Sequence, residues 1–168
     1  MNATKPALRI ESATERDVPV ILRMIKGLAE YERLGDHVNA TEEKLRATLF
    51  GAHPAAEVVI GYDGSEPVGF ALFFQNYSTF LAQPGIYLED LFVVPTARGH
   101  GYGRQLLGHL ARLAAERGCG RLEWSVLNWN EPAIGFYRKL GAAPMEDWTI
   151  FRLSGGALEH LASARISR

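Results

Sequence analysis

The sequence predicts a mixed α/β fold, one sheet with helices on both faces. Three observations carry this reading. An amphipathic helix follows the first short strand, two β-rich runs in the middle meet at a tight turn signal, and the second half alternates strand, helix, strand, helix, strand.

Residues 7–11 alternate as a half-buried strand does. Thr14 then precedes Glu15, Asp17 and an apolar series at Val18, Ile21, Leu22, Ile25, Leu28 and Ala29. Spacings of three and four place that series on one helical stripe, with Thr14 as N-cap and the early carboxylates at the positive end of the dipole. Thr41-Glu42-Glu43-Lys44 opens a second helix that ends near Gly51. Runs 57–60 and 68–74 read as strands around Asp63-Gly64-Ser65, a hairpin turn signal. A further strand spans 86–94, and Pro95, which has no N–H for a ladder, ends it. Next comes a helix with Leu106, Leu107, Leu110, Leu113 and Ala114 on one face, closed by Gly118. Residues 122–127 make a strand. Pro132 suits the first turn of another helix, which ends at Gly141. A last strand is expected over 148–153 and a short helix over 155–163.

No linker or repeat interrupts this order, so residues 7–163 are expected to form a single domain, with 1–6 and 164–168 as flexible termini. Hydrophobic residues make up 47% of the 168 and charged residues 22%, a globular composition. The net charge of −1 and the lack of a Lys/Arg block argue against nucleic acid as a partner. No run approaches the ~20 apolar residues of a membrane helix. A single cysteine, Cys119, and an N-terminus without an apolar core point to a reducing compartment, the cytoplasm. Cys119 has no nearby histidine to activate it and reads as packing. The five histidines show no metal-ligand spacing, so no metal is expected.

The stretch with most chemical content is Val93-Val94-Pro95-Thr96-Ala97-Arg98-Gly99-His100-Gly101-Tyr102-Gly103-Arg104, which runs from a strand into a helix. Glycines at 99, 101 and 103 let the backbone turn and approach a ligand closely. Their amides, with a helix N-terminus behind them, suit a phosphate or diphosphate, and Arg98 and Arg104 add positive charge. A dinucleotide fingerprint would need glycine where Arg104 stands, and a Walker loop would need Gly-Lys-Ser/Thr. A plain strand-to-helix turn and a coenzyme A diphosphate cradle remain.

Here the sequence resembles a known family. Arg98-x-x-Gly101-x-Gly103 after Val93-Val94-Pro95 is similar to the diphosphate motif of the GNAT acetyltransferases, and the resemblance runs from about Leu8 to about Ala162. Leu28-Ala29-Glu30-Tyr31-Glu32, Tyr87-Leu88-Glu89-Asp90 and Trp129 through Tyr137 resemble the spermidine/spermine branch and its thialysine-acetylating relatives. Polyamine-specific members carry Tyr-Asp-Pro-Trp where this chain has Tyr77-Ser78-Thr79-Phe80, which is similar to the Tyr-Ser-Thr-Trp of the thialysine branch. The acceptor this implies is a compact diamine or lysine-like amine.

The resemblance implies the GNAT fold, with a central strand splayed from its neighbour and acetyl-CoA as cosubstrate in the gap. The backbone of Leu91, Phe92 and Val93 would hold the pantetheine arm, residues 98–104 the diphosphate, and Asn130, with Ala133 and Tyr137 on the same helix, the thiol end. Asn130 also reads as a simple helix cap. A homodimer is implied as well.

At pH 7 an alkylamine of pKa near 10.4 needs ~4.6 kcal/mol to reach its neutral, nucleophilic form, so the site requires a proton acceptor. Glu89, set in an apolar strand, is the candidate, directly or through water, against the alternative of a structural ion pair. Asp90 is expected on the opposite face by alternation, unless a bulge intervenes, in an orienting or structural role. Tyr137 stands where the family places the acid that protonates the departing thiolate, although it also fits a packing stripe with Ala133, Ile134, Phe136 and Leu140. Tyr31, Glu32, Glu123, Trp124 and Ser125 are the further candidates for the acceptor side. The expected function is acetyl-CoA-dependent acetylation of a small cationic amine. The alternatives are a protein N-terminal or lysine acetyltransferase and a non-catalytic acetyl-CoA sensor.

Overall fold

The computed structural model describes residues 7–164. Of the expected flexible termini, all but Ala164 lie outside the described residues. The chain divides into two compact units, one ending at Ser125 and the other starting at Val126.

The first unit is a five-stranded sheet in the order β1 (Arg9–Ser12), β2 (Glu57–Asp63), β3 (Glu66–Ser78), β4 (Gln83–Val93), β5 (Leu122–Trp124). The first four strands pair antiparallel in sequence order. Only β4 and β5 are parallel, joined by the crossover helix α3 (Tyr102–Glu116). The mixed sheet with flanking helices expected from the sequence is what forms.

Helices α1 (Val18–Tyr31) and α2 (Glu42–Leu49) cover one face. Thr14 donates its N–H and hydroxyl to the Asp17 carboxylate, 2.7 and 2.9 Å, which fixes the entry to α1. The stripe of α1 is centred slightly off the sequence expectation. Val18, Ile21, Met24 and Ala29 are buried, while Leu22, Ile25 and Leu28 are partly buried around them. Burying Val18, Ile21 and Met24 contributes about 5–9 kcal/mol, against about 1 kcal/mol for Gly27 in mid-helix. Packing wins, and Gly27 is needed there, since a Cβ at that position would meet the Phe92 ring at 3.0 Å. The core on this face joins α1 and α2 to Val58, Ile60, Phe70 and Phe92.

Strand alternation sends Gly69, Ala71 and Phe73 to the other face, where α3 packs. A Cβ on Gly69 would lie 3.1 Å from Leu106, and Leu106, Leu107, Leu110 and Ala114 are buried.

The second unit holds α4 (Glu131–Lys139) and α5 (Gly155–Ser163). The strand expected over 148–153 does not form. Among the described residues this segment joins no ladder, and Trp148, Ile150, Phe151 and Leu153 are exposed. Apolar, β-prone composition cannot make a strand without a neighbouring edge to satisfy its N–H and C=O groups. β5 likewise ends short of the sequence expectation, at Trp124 and not at Leu127.

Candidate active site

β4 leads into the glycine-rich loop. Pro95–Ala97 form a 3-10 turn, and Gly99 and Gly101 take left-handed φ of 83° and 82°. The larger side chains of the loop brace it. Arg98 donates from Nε to the Val93 carbonyl at 3.0 Å, and its guanidinium lies over the Tyr31 ring, 4.5 Å from the centroid. The His100 Nδ1 lies 3.2 and 3.1 Å from the carbonyls of Ala97 and Arg98. Both neighbours are acceptors, so Nδ1 carries the proton. Tyr102 is buried, stacks on His100 and donates its hydroxyl to Asp63 at 2.6 Å. Arg104 is exposed in the first turn of α3.

The N-cap of α3 is Gly101, which has no side chain to accept from the first-turn amides of Tyr102, Gly103 and Arg104. Those donors, at the positive end of a 15-residue helix, suit an anion. Arg98, His100 and Tyr102 offer the loop their backbone, since their side chains are committed elsewhere.

Beside this loop the sheet opens. The ladder between β4 and β5 covers only Ile86–Leu122, Tyr87–Glu123 and Leu88–Trp124. From Glu89 to Val93, β4 remains paired to β3 yet has no β5 partner among the described residues. A free edge of extended backbone can receive an extended, amide-bearing chain as an added strand. Leu91, Phe92 and Val93 form its last part, and the glycine-rich loop follows directly. These features fit coenzyme A in shape and in donor set.

The opening coincides with a bulge. Leu72 faces Asp90 across β3 and β4 while Phe73 faces Leu88, so Glu89 is the extra residue and has no cross-strand partner. Ile86 and Leu88 point with Phe73 toward α3. Beyond the bulge, Asp90 and Phe92 point with Leu72 and Phe70 toward α1. The simple alternation expected from sequence therefore breaks here, and Asp90 joins the face on which Glu32 ends α1. Glu89 is exposed and Asp90 half-buried. Burial pushes the Asp90 carboxyl up to about 6, and the charges of Glu89 and Glu32 add to it. Burial raises Glu32 as well.

Alternation separates the three β5 candidates. Trp124 points to the α3 side with Leu88, while Glu123 and Tyr87 point to the α1 side. Glu123 is engaged structurally, accepting from Asn76 Nδ2 at 2.9 Å and standing 2.8 Å from Arg121 Nε in an ion pair. Ser125 lies just past the strand, its Oγ 2.7 Å from the Tyr87 hydroxyl. The Tyr87 ring stacks on Phe74, centroids 5.2 Å apart. Tyr87 and Phe74 escaped the sequence reading of the site, because only cross-strand register puts them on the Asp90 side. Phe80, at the tip between β3 and β4, is exposed.

In the second unit Asn130 is buried and caps α4, its Oδ1 accepting from Ala133 N–H at 3.3 Å. The Ala133 amide is thus used within the helix. Tyr137 lies two turns into α4, half-buried, its ring 5.3 Å from that of Phe136. Among the described residues no group of three His, Cys, Asp or Glu side chains is placed to hold a metal ion, and no helix is long and apolar enough to cross a membrane.

Comparison with known proteins agrees with this architecture. The acetyltransferase (GNAT) family model matches residues 24–142. Thialysine N-epsilon-acetyltransferase of Sus scrofa is 40% identical over 164 residues, covering 91% of this chain and 96% of that protein. L-ornithine N5-acetyltransferase of Arabidopsis thaliana is 34% identical, covering 94% of this chain and 89% of that protein. An integron cassette protein from the mobile metagenome of V. cholerae superposes with a TM-score of 0.80 at 28% identity, covering 94% of this chain and 98% of the other. The chain belongs to the GNAT acetyltransferase family. Within that family it is an N-acetyltransferase.

Proposed function

We propose that this enzyme transfers the acetyl group of acetyl-CoA to a primary amine of a small cationic molecule, a lysine-like amino acid or a short diamine. The observation that carries this reading is the free edge of β4 over Glu89–Val93, continuous with the uncapped start of α3. One binds an extended amide chain and the other a diphosphate, which is the shape of coenzyme A. Acetyl-CoA supplies the acetyl group as an activated thioester.

The amides of residues 99–104 and the backbone of Leu91, Phe92 and Val93 hold the cosubstrate in this reading. Asn130 and Ala133 serve at the thiol end. On the acceptor side Tyr31 and Glu32 contribute from the end of α1, and the Tyr87–Ser125 pair from the sheet. Carboxylates at Glu32, Glu89 and Asp90 attract an ammonium and suit a cation over a neutral amine. A carboxylate of the Glu89–Asp90 pair takes the amine proton, and Tyr137 supplies one to the departing sulfur. Relatives named for acetylating thialysine and ornithine support the acceptor class. The homodimer and the cytoplasmic setting that the resemblance and composition imply belong to the same proposal.

A panel of thialysine, lysine, ornithine, putrescine and spermidine, read by released thiol, tests the assignment. The amino acids and putrescine should give higher kcat/KM than spermidine. Release with none of them, together with no calorimetric heat on adding acetyl-CoA, would remove it.

A further inference from the structure

The bulge decides which carboxylate serves the reaction. Up to Leu88 the even-numbered residues of β4 face α3, so an unbroken strand would send Asp90 there and Glu89 toward α1. Glu89, the extra residue opposite the Leu72–Phe73 step, reverses this and turns Asp90 to the α1 side. We propose that Asp90, and not Glu89, is the carboxylate that accepts the proton of the acceptor amine, a role that rests on the acetyltransferase reading above.

Three observations converge on Asp90. Its position is the first, since it directly precedes Leu91–Val93, the backbone assigned to the pantetheine arm. With the diphosphate at the α3 end, the acyl end of an arm running back along β4 reaches the bulge. Its surroundings are the second. Asp90 is half-buried, whereas Glu89 is exposed to water that competes for the same ammonium. The third is charge. The titratable groups felt at Asp90 are Glu89 on its own strand and Glu32 from α1, both acidic, and no cation is among them. The Arg98 guanidinium is engaged over Tyr31 and Phe92. A half-buried carboxylate among like charges lacks a counter-ion that an incoming ammonium supplies, and the same surroundings lift its proton affinity toward the working pH.

The step balances as follows. The ammonium N–H bond breaks and its proton passes to an Asp90 oxygen. The freed lone pair forms a C–N bond to the acetyl carbon, the C–S bond breaks with its electron pair going to sulfur, and the nitrogen sheds a second proton that balances the one the thiolate takes up. Asp90 then releases its own proton to water. Ammonium plus thioester yields amide, thiol and one proton.

The test compares Asp90→Asn with Glu89→Gln in the full chain, with lysine as acceptor and released thiol as readout across pH 5–9. Acetyl-CoA affinity is measured separately by calorimetry. Carboxyl-carbon NMR follows the Asp90 titration. Asp90→Asn should lose about 100-fold or more in kcat at pH 7 and lose the acidic limb of its pH profile, with unchanged acetyl-CoA affinity. Glu89→Gln should keep the limb and lose less than about 10-fold. The Asp90 resonance should titrate near 6 and move down when Glu32 and Glu89 are both changed to Gln. Retention of the limb in Asp90→Asn with its loss in Glu89→Gln overturns the proposal, as does an Asp90 that titrates in the ordinary carboxylate range. A wild-type chain that binds no acetyl-CoA overturns the acetyltransferase reading itself, and calorimetry separates that result from the other two.

Discussion

Arg98 closes over Tyr31, its guanidinium 4.5 Å from the ring centroid, while its Nε holds the Val93 carbonyl. One side chain thus ties three elements together: the end of β4, the glycine-rich loop and the C-terminal end of α1. The loop's geometry and the C-terminal end of α1 are mechanically linked through this contact.

Removing that link should loosen the loop without touching the chemistry. A cation–π contact of this kind is worth about 0.5–1 kcal/mol, rising to about 2 when desolvated. Arg98→Ala should therefore weaken acetyl-CoA binding by about 3- to 30-fold, read by calorimetry, with a smaller effect on kcat. Tyr31→Ala should reproduce the cosubstrate effect through the same contact.

Gly99 isolates backbone strain from steric clash. A Cβ there meets nothing within 4 Å, yet φ is +83°. Gly99→Ala should cost about 1–2 kcal/mol, or roughly 2–8 °C in thermal melting. Acetyl-CoA affinity should fall with it as the amides turn away. Asn tolerates the left-handed region better, so Gly99→Asn should lose less on both readings.

Asp90 should weaken the fold at neutral pH. Its folded pKa of about 6 lies above the unfolded value near 3.9. Between those values the folded chain binds more protons than the unfolded one, so stability falls as pH rises from about 4 to about 6 and stays reduced above. The shift amounts to about 3 kcal/mol at most. Asp90→Asn should accordingly be more stable than wild type at pH 7 by denaturant unfolding, with the difference vanishing below about pH 4. A variant that gains stability while losing turnover is the signature of a site that stores unfavourable charge for function.

Tyr137→Phe keeps the ring that packs beside Phe136 and removes only the hydroxyl. Turnover should drop about 10- to 100-fold or more while acetyl-CoA affinity holds. Near-normal turnover would assign Tyr137 to packing.

Most of the scaffold was legible because its signals are local. The apolar spacing of α1, the two-residue turn after Asp63, the Thr41 cap that accepts from Lys44 N–H, and Pro95 ending β4 each act within a few residues of chain. The glycine-rich turn into α3 was legible for the same reason, since glycines and a helix start lie side by side in sequence. The segment over 148–153 misled because its apolar residues state only a preference for burial.

Pairing decided the rest, since register is a property of two strands and no residue carries it alone. The bulge at Glu89 exists only against Leu72 and Phe73, and it turned Asp90 to the α1 side. The opening of β4 exists only because β5 stops at Trp124. Glu123, read from sequence as part of the acceptor side, is drawn into a network with Asn76 and Arg121 across 47 residues of chain. Local chemistry named the groups that this enzyme has to work with. Long-range geometry, which sets burial and hence the strength of every charge, determined how each of them is surrounded.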